Sequence, residues 1–252
     1  METKVTSERW SIAQDSEKEY WEQFTKESLL KEEADRHKEK AKILEEEWKN
    51  FIKLNKNSKI LQIGCGPEDV INYFSTGKLY AIDPLAEFYK KKFQLNYSQL
   101  TFIQGRAEKL PFKDNFFDIV ILANVLDHTE NPEKALSEIK RVLKNGGMFY
   151  FENLFYQKKF IHLANIYGTI KKFLTGNIFN IHHPFMFQFP DMKSLLSNNF
   201  LIAYESIGRD IGSFKDINEM KEKKKKERKL TAKIPALFGL YGPINYTAIC
   251  RK

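Results

Sequence analysis

The sequence predicts an α/β fold: a doubly wound, mostly parallel seven-stranded sheet, with a helical N-terminal extension and a lid insertion. Three observations carry this expectation. From residue 59 onward, short apolar segments alternate with helix-like segments, the pattern of a parallel sheet covered by helices on both faces. The segment Phe117–Leu122 (FDIVIL) is almost continuously apolar, as strands buried on both faces are. Residues 1–63 contain neither Gly nor Pro, and Ala34, His37, Ala41, Leu44, Trp48 and Phe51 step by three or four, which predicts amphipathic helix over Ser16–Leu54.

Each element has its own signal. Strands are expected at Lys59–Ile63, Leu79–Asp83, Leu100–Gln104, Phe117–Leu122, Met148–Glu152, Phe200–Gly208 and Ile244–Cys250. Helices are expected at Asp69–Phe74, Ala86–Phe93, Asn131–Leu143 and Asp191–Asn198, with helical stretches in Phe155–Leu174. Asn131 can cap its helix, Pro132 suits the first turn, and Asn145-Gly146-Gly147 can close it. Ile181–Pro190 holds two prolines and reads as loop. The expected organisation is a helical extension over 1–56 and a main domain over 57–252. Within that domain lie a lid insertion at 153–198 and a basic segment at 215–233.

Composition narrows the classes. Of 252 residues 42% are hydrophobic, with 21 Phe, enough apolar surface to exclude a disordered chain. No apolar run reaches the ~18 residues a membrane helix needs. Met1–Arg9 is polar and shows no secretory h-region. Two cysteines, Cys65 and Cys250, are too few for a disulfide framework. A cytoplasmic protein with reduced thiols is expected. The net charge of +8 is uneven: residues 153–252 carry 17 basic and 7 acidic side chains, many of them in Lys221–Lys229. Lysine outnumbers arginine 34 to 7, which weakens a specific nucleic-acid reading, since arginine is the better bidentate phosphate reader. A solvated face or an anionic partner both suit the run.

Gly64-Cys65-Gly66 follows the first strand, where glycines allow a sharp turn and close approach to a nucleotide. The third glycine of a dinucleotide fingerprint is missing, its place taken by Asp69. Asp83 ends the second strand, where a carboxylate can accept from both ribose hydroxyls. These features indicate a nucleoside-bearing cofactor without choosing between a dinucleotide and S-adenosylmethionine. Three later segments then occur in order: Gly105 to Phe112 (GRAEKLPF), Phe116-Phe117-Asp118, and Glu138 to Gly147 with Arg141-Val142-Leu143 inside it.

With LQIGCGP upstream, this order resembles the class I S-adenosylmethionine-dependent methyltransferases of the small-molecule, ubiquinone-biosynthesis type. The resemblance implies a Rossmann-like sheet with its last strand antiparallel, and S-adenosylmethionine as cofactor with S-adenosylhomocysteine as product. It places Gly64, Cys65 and Gly66 beneath the methionine and ribose portions, and Asp83 on the ribose with Pro84 and Leu85 beside the adenine. Arg106, Ala107 and Glu108 would contact the adenine, and Ala123 and Asn124 the amino-acid portion and the sulfonium. Three positions depart from the family: Gln62 and Arg106 stand where acids are usual, and Glu68 where Gly is frequent. Gln62 is expected to reach the methionine ammonium without charge.

An oxygen nucleophile must lose a proton to a base, and His128, His182 and His183 are the candidates. His182-His183-Pro184 sits in an aromatic stretch with Phe179, Phe185, Phe187 and Phe189. No metal-ligand spacing shows, so a metal-independent enzyme is expected. The pattern Arg9-Trp10, Ala13-Gln14, Glu19-Tyr20-Trp21 with Leu126-Asp127-His128 and His183-Pro184 is similar to methyltransferases of saccharide modification, which implies a hydroxyl of a sugar or other metabolite as acceptor. Two alternatives remain: methylation of RNA or another polyanion, suggested by the basic last hundred residues, and a non-catalytic cofactor- or partner-binding module, suggested by Gln62 and Arg106.

Overall fold

The computed structural model describes residues 4–95, 97–176, 178, 180–207 and 243–252. Its strands are β1 (Lys59–Ile63), β2 (Lys78–Asp83), β3 (Leu100–Gln104), β4 (Phe117–Ala123), β5 (Leu143–Phe155), β6 (Leu201–Ile207) and β7 (Ile244–Arg251). They form one sheet in the order β3-β2-β1-β4-β5-β7-β6. The first five are parallel, and β7 runs antiparallel between β5 and β6. This is the doubly wound sheet that the alternation of strand and helix implies. The chain reverses its strand order between β1 and β4, and such a switch point opens a crevice at the carboxyl ends of the strands.

The helices are α1 (Ser7–Glu22), α2 (Lys26–Trp48), α3 (Ala86–Phe93), α4 (Pro132–Val142), α5 (Lys158–Thr175) and α6 (Phe189–Ser197). Alternate residues of a strand face opposite sides of a sheet, and here both sides are apolar. Phe149 and Phe151 of β5 join α4 and α6 through Leu136, Ile139, Met192 and Leu196. Met148 and Tyr150 face the other way, toward Ala41, Leu44 and Trp48 of α2 and Tyr89 and Phe93 of α3. Trp48 and Ala41 are completely buried, so α2 is part of the core.

Several boundaries differ from expectation. The single helix expected over Ser16–Leu54 is two, and the second begins where the Thr25 hydroxyl accepts from the Ser28 amide in a capping box. The helix expected at Asp69–Phe74 is one 3-10 turn, Val70–Tyr73, capped by the Asp69 side chain. Asn145-Gly146-Gly147 does not close α4. The chain turns extended at Leu143, which pairs with Phe117, and the three residues lie inside β5. β5 continues to Phe155 because β7 pairs with it residue by residue from Arg251 to Ile244, so the following helix starts only at Lys158. Within the expected lid, α6 buries Met192, Leu195 and Leu196 in the core, and α5 is mostly exposed. Phe179, Gly208, the 215–233 segment and Lys221–Lys229 lie outside the described residues.

Candidate active site

A cavity of about 650 Å³ opens at the carboxyl ends of β1, β2, β4 and β5, between those strand ends and α1 and α2. That size suits a nucleoside-bearing ligand and a small partner.

The strand-end wall is built by backbone geometry. Gly64 (φ +67°) and Gly66 (φ +58°) are both left-handed, a conformation open to glycine without steric cost. A Cβ on Gly64 would also strike the Val125 side chain at 2.4 Å. Asp83, at the end of β2, accepts from the Gly66 amide (3.0 Å) and the Leu85 amide (2.8 Å), one on each carboxylate oxygen. Burial pushes its pKa up to about 6, against the pull of those two amides. Each oxygen keeps a free lone pair on a side chain that lines the cavity, which suits a pair of hydroxyl donors.

Beyond Asp83, Arg106 sits over the Trp10 ring of α1, its guanidinium carbon 3.8 Å from the ring centroid. Its Nη2 donates to Glu130, whose pKa is lowered by that bond and by the Ser7 hydroxyl. The Glu108 carboxylate accepts the amides of Glu130 and Asn131 (2.6 and 3.1 Å). Arg106 is therefore spent on fastening α1 and the loop before α4, while Ala107 remains on the cavity wall.

The opposite wall is polar and comes from α2 and β5. His37 Nδ1 meets Glu68 at 2.6 Å. Burial opposes the charged imidazolium there, but Glu68 and Asp69 outweigh it and raise the His37 pKa. Lys40 Nζ pairs with the buried Glu152 at 2.9 Å, and the Tyr150 hydroxyl donates to the same oxygen. Asp69 lines the cavity, steadied by Gln62, whose Nε2 donates to it at 2.5 Å while its Oε1 accepts the Ile71 amide. Gln62 is completely buried with both ends of its amide occupied, and it does not line the cavity. Asp69, the carboxylate it bonds, does, as does the adjacent Glu68.

The third feature is a histidine pair behind the 3-10 turn Leu126–His128. His183 Nδ1 bonds the buried Asp127 carboxylate at 2.7 Å. Burial raises an acid and lowers an imidazole, yet the pairing wins on both sides: Asp127 is lowered and His183 raised. The His128 ring packs 4.3 Å from that of His183 and lines the cavity. Burial, aided by the neighbouring His183, lowers its pKa in spite of Asp127, which keeps it neutral at pH 7. Asp127, His128 and His183 could together hold a metal ion, their ligand atoms lying within 4.8 Å of one another. The sequence spacing gives no hint of this grouping. His182 points elsewhere, 3.5 Å from the Ser16 hydroxyl and 3.8 Å from Glu17. The loop that carries both histidines is tied to α1 by Arg9, which donates to the carbonyls of Ile181 (2.8 Å) and Asn180 (3.0 Å).

Of the residues singled out from sequence, Gly64, Cys65, Gly66, Asp83, Pro84, Leu85, Arg106, Ala107, Glu108, Ala123, Asn124 and His128 line this one cavity, whereas Gln62, His182 and His183 do not. The α2 contributors His37 and Lys40, with Asp69, Tyr150 and Glu152, carry no motif. For α1 the signal was present, since Trp10, Gln14 and Trp21 of the quoted N-terminal pattern all line the cavity.

Residues 61–151 match a family model described as a methyltransferase domain. Over 114 residues the chain is 36% identical to the ubiquinone/menaquinone biosynthesis C-methyltransferase of Stutzerimonas stutzeri, covering 40% of this chain and 44% of that protein. Over 108 residues it is 34% identical to a methyltransferase of Schizosaccharomyces pombe described as uncharacterized, covering 37% and 39%. The chain thus matches less than half the length of these curated relatives. A Bacillus halodurans crystal structure, provisionally described as a methyltransferase, superposes with a TM-score of 0.58 over 82% of this chain and 97% of that one, at 19% identity. Sheet order, crevice and these likenesses together give the chain the class I S-adenosylmethionine-dependent methyltransferase fold.

Proposed function

We propose that this protein transfers a methyl group from S-adenosylmethionine to a hydroxyl of a sugar or another small metabolite. The observation that carries the proposal is a single cavity with two complementary ends: a buried carboxylate presented for a diol, and a neutral imidazole backed by an acid–imidazole pair. The cofactor fits the residues present, because both Asp83 oxygens are already oriented by backbone amides and neither Gly64 nor Gly66 puts a side chain in the way. When bound, it supplies an electrophilic methyl on a sulfonium. Asp83 would hold the ribose, Leu85 and Ala107 would flank the adenine, and Asp69 would meet the methionine ammonium in place of the uncharged Gln62.

The chain's remaining task is to hold the acceptor oxygen in line with the methyl and remove its proton. His128 takes the proton, since its lowered pKa keeps it unprotonated. His183, fixed by Asp127, packs against the His128 ring and sets its orientation. The polar wall of His37, Lys40 and Glu152 offers several donors and acceptors, which suits a polyhydroxylated acceptor better than an apolar one.

Titrating S-adenosylmethionine and S-adenosylhomocysteine calorimetrically, with Asp83→Ala as control, tests the cofactor. Transfer of labelled methyl to a panel of sugars and hydroxylated metabolites tests the acceptor. Binding abolished by Asp83→Ala, with label in an ether product, is the expected result. Binding without transfer to any acceptor would favour the non-catalytic module. Label in RNA would favour the polyanion reading.

A further inference from the structure

We infer that α5 is a docking element that lies on an anionic lipid surface. It has 18 residues, so it is about 27 Å long, yet Ala164 is its single buried residue. Its outer side carries Leu163 (49% exposed), Ile166 (46%), Ile170 (51%), Phe173 (89%) and Leu174 (71%). At 100° per residue these five side chains fall within an arc of about 100°, a continuous apolar stripe. Scattered exposed apolar residues need no explanation, but a contiguous stripe of this length marks an interaction site.

Charge selects the occupant. The helix sequence KKFIHLANIYGTIKKFLT contains four lysines and no acidic residue. A second copy of the chain laid on the stripe would bring a second set of four ammonium groups against the first. A bilayer with anionic headgroups answers both features at once. The stripe enters the boundary between headgroups and acyl chains, and Lys158, Lys159, Lys171 and Lys172 extend their ammoniums back to the phosphates. The excess of 17 basic over 7 acidic side chains in residues 153–252 adds long-range attraction of the same sign. No helix among the described residues is long and apolar enough to cross a membrane, so α5 would lie in the interface plane.

The test uses the full chain and two vesicle compositions, phosphatidylcholine alone and phosphatidylcholine with phosphatidylglycerol. Co-sedimentation is expected to be at least ~10-fold stronger on the anionic vesicles and to weaken with salt. The double variant Phe173→Glu, Leu174→Glu should lower it by ~10-fold or more. Both positions are exposed, so the variant should keep the wild-type Tm. A separate variant, Phe173→Trp, should show fluorescence quenched by brominated lipid. No binding to either vesicle, binding that the double variant leaves unchanged, or an unquenched Trp at 173 would each overturn the proposal. So would a dimer that the double variant dissociates, because the occupant would then be a second copy.

Discussion

The two walls of the cavity are made in different ways. The strand-end wall is held by backbone: Asp83 is fixed by amides two and seventeen residues away, next to glycines at positive φ. The helical wall is held by side chains that reach across long stretches of chain, Lys40 to Glu152, His37 to Glu68, and Arg9 to the Ile181 carbonyl. Backbone geometry restricts which residue types can occupy a position, whereas a side-chain pair can be moved or replaced. Under the proposed function the first wall would hold the ribose, and the second the acceptor and, at Asp69, the methionine ammonium.

Substitutions can sharpen that contrast. The largest expected effect is on turnover: His128→Ala should lower kcat by about 10²–10⁴-fold, the usual worth of a general base, while cofactor Kd stays near wild type. On the strand-end wall, Asp83→Ala should weaken cofactor binding by about 10²-fold in calorimetry, since two hydrogen bonds to an ionised acceptor are lost. On the helical wall, Lys40→Met strands the buried Glu152 carboxylate and should cost about 3 kcal/mol in denaturant unfolding, with cofactor contacts intact. If Lys40→Met weakened cofactor binding as much as Asp83→Ala does, the division of labour between the walls would be wrong.

Acidity gives a smaller effect. The raised Asp83 pKa, about 6, means the carboxylate gains a proton as pH falls through 6 and loses acceptor capacity. Cofactor Kd should therefore rise by up to ~10-fold from pH 7.5 to 5, and the dependence should vanish in Asp83→Asn. His128 has its pKa lowered in the free protein, so it stays a base below pH 6.5, and its acid limb in kcat/KM should lie under that value. The smallest effect is a control outside both walls: Asn131→Ala removes the cap on Lys134 and should cost about 1 kcal/mol.

What was legible in the sequence follows the same division. β1, α3 and β3 have the expected bounds because strand and helix periodicity are local, and the Gly64–Gly66 turn and Asp83 stand out because few residue types fit there. The polar wall was not legible. α2 is rich in Glu and Lys, and nothing in the spacing distinguishes Lys40, which reaches Glu152, from its solvated neighbours. Gln62 is a subtler case. Its position suggested a cofactor contact although its type departs from the usual acid, and the fold engages both ends of its amide internally. The carboxylate that Gln62 steadies, Asp69, does line the cavity, and it was noticed in the sequence as the place of a missing glycine. His128 and His183 are fifty-five positions apart, and only tertiary structure brings them together.

The placing of β7 between β5 and β6 has a consequence for how the molecule is assembled. Among the described residues β6 has no other strand partner in the sheet, and the Met148 end of β5 is opposite Arg251. On a translating ribosome the first five strands can pair in sequence as they emerge, whereas β6 must wait for β7 with its own edge uncovered. Closing that late, non-local pairing should be the slow step of folding. A nascent chain halted before residue 244 should therefore offer an unpaired edge at β5 to chaperones or to its neighbours.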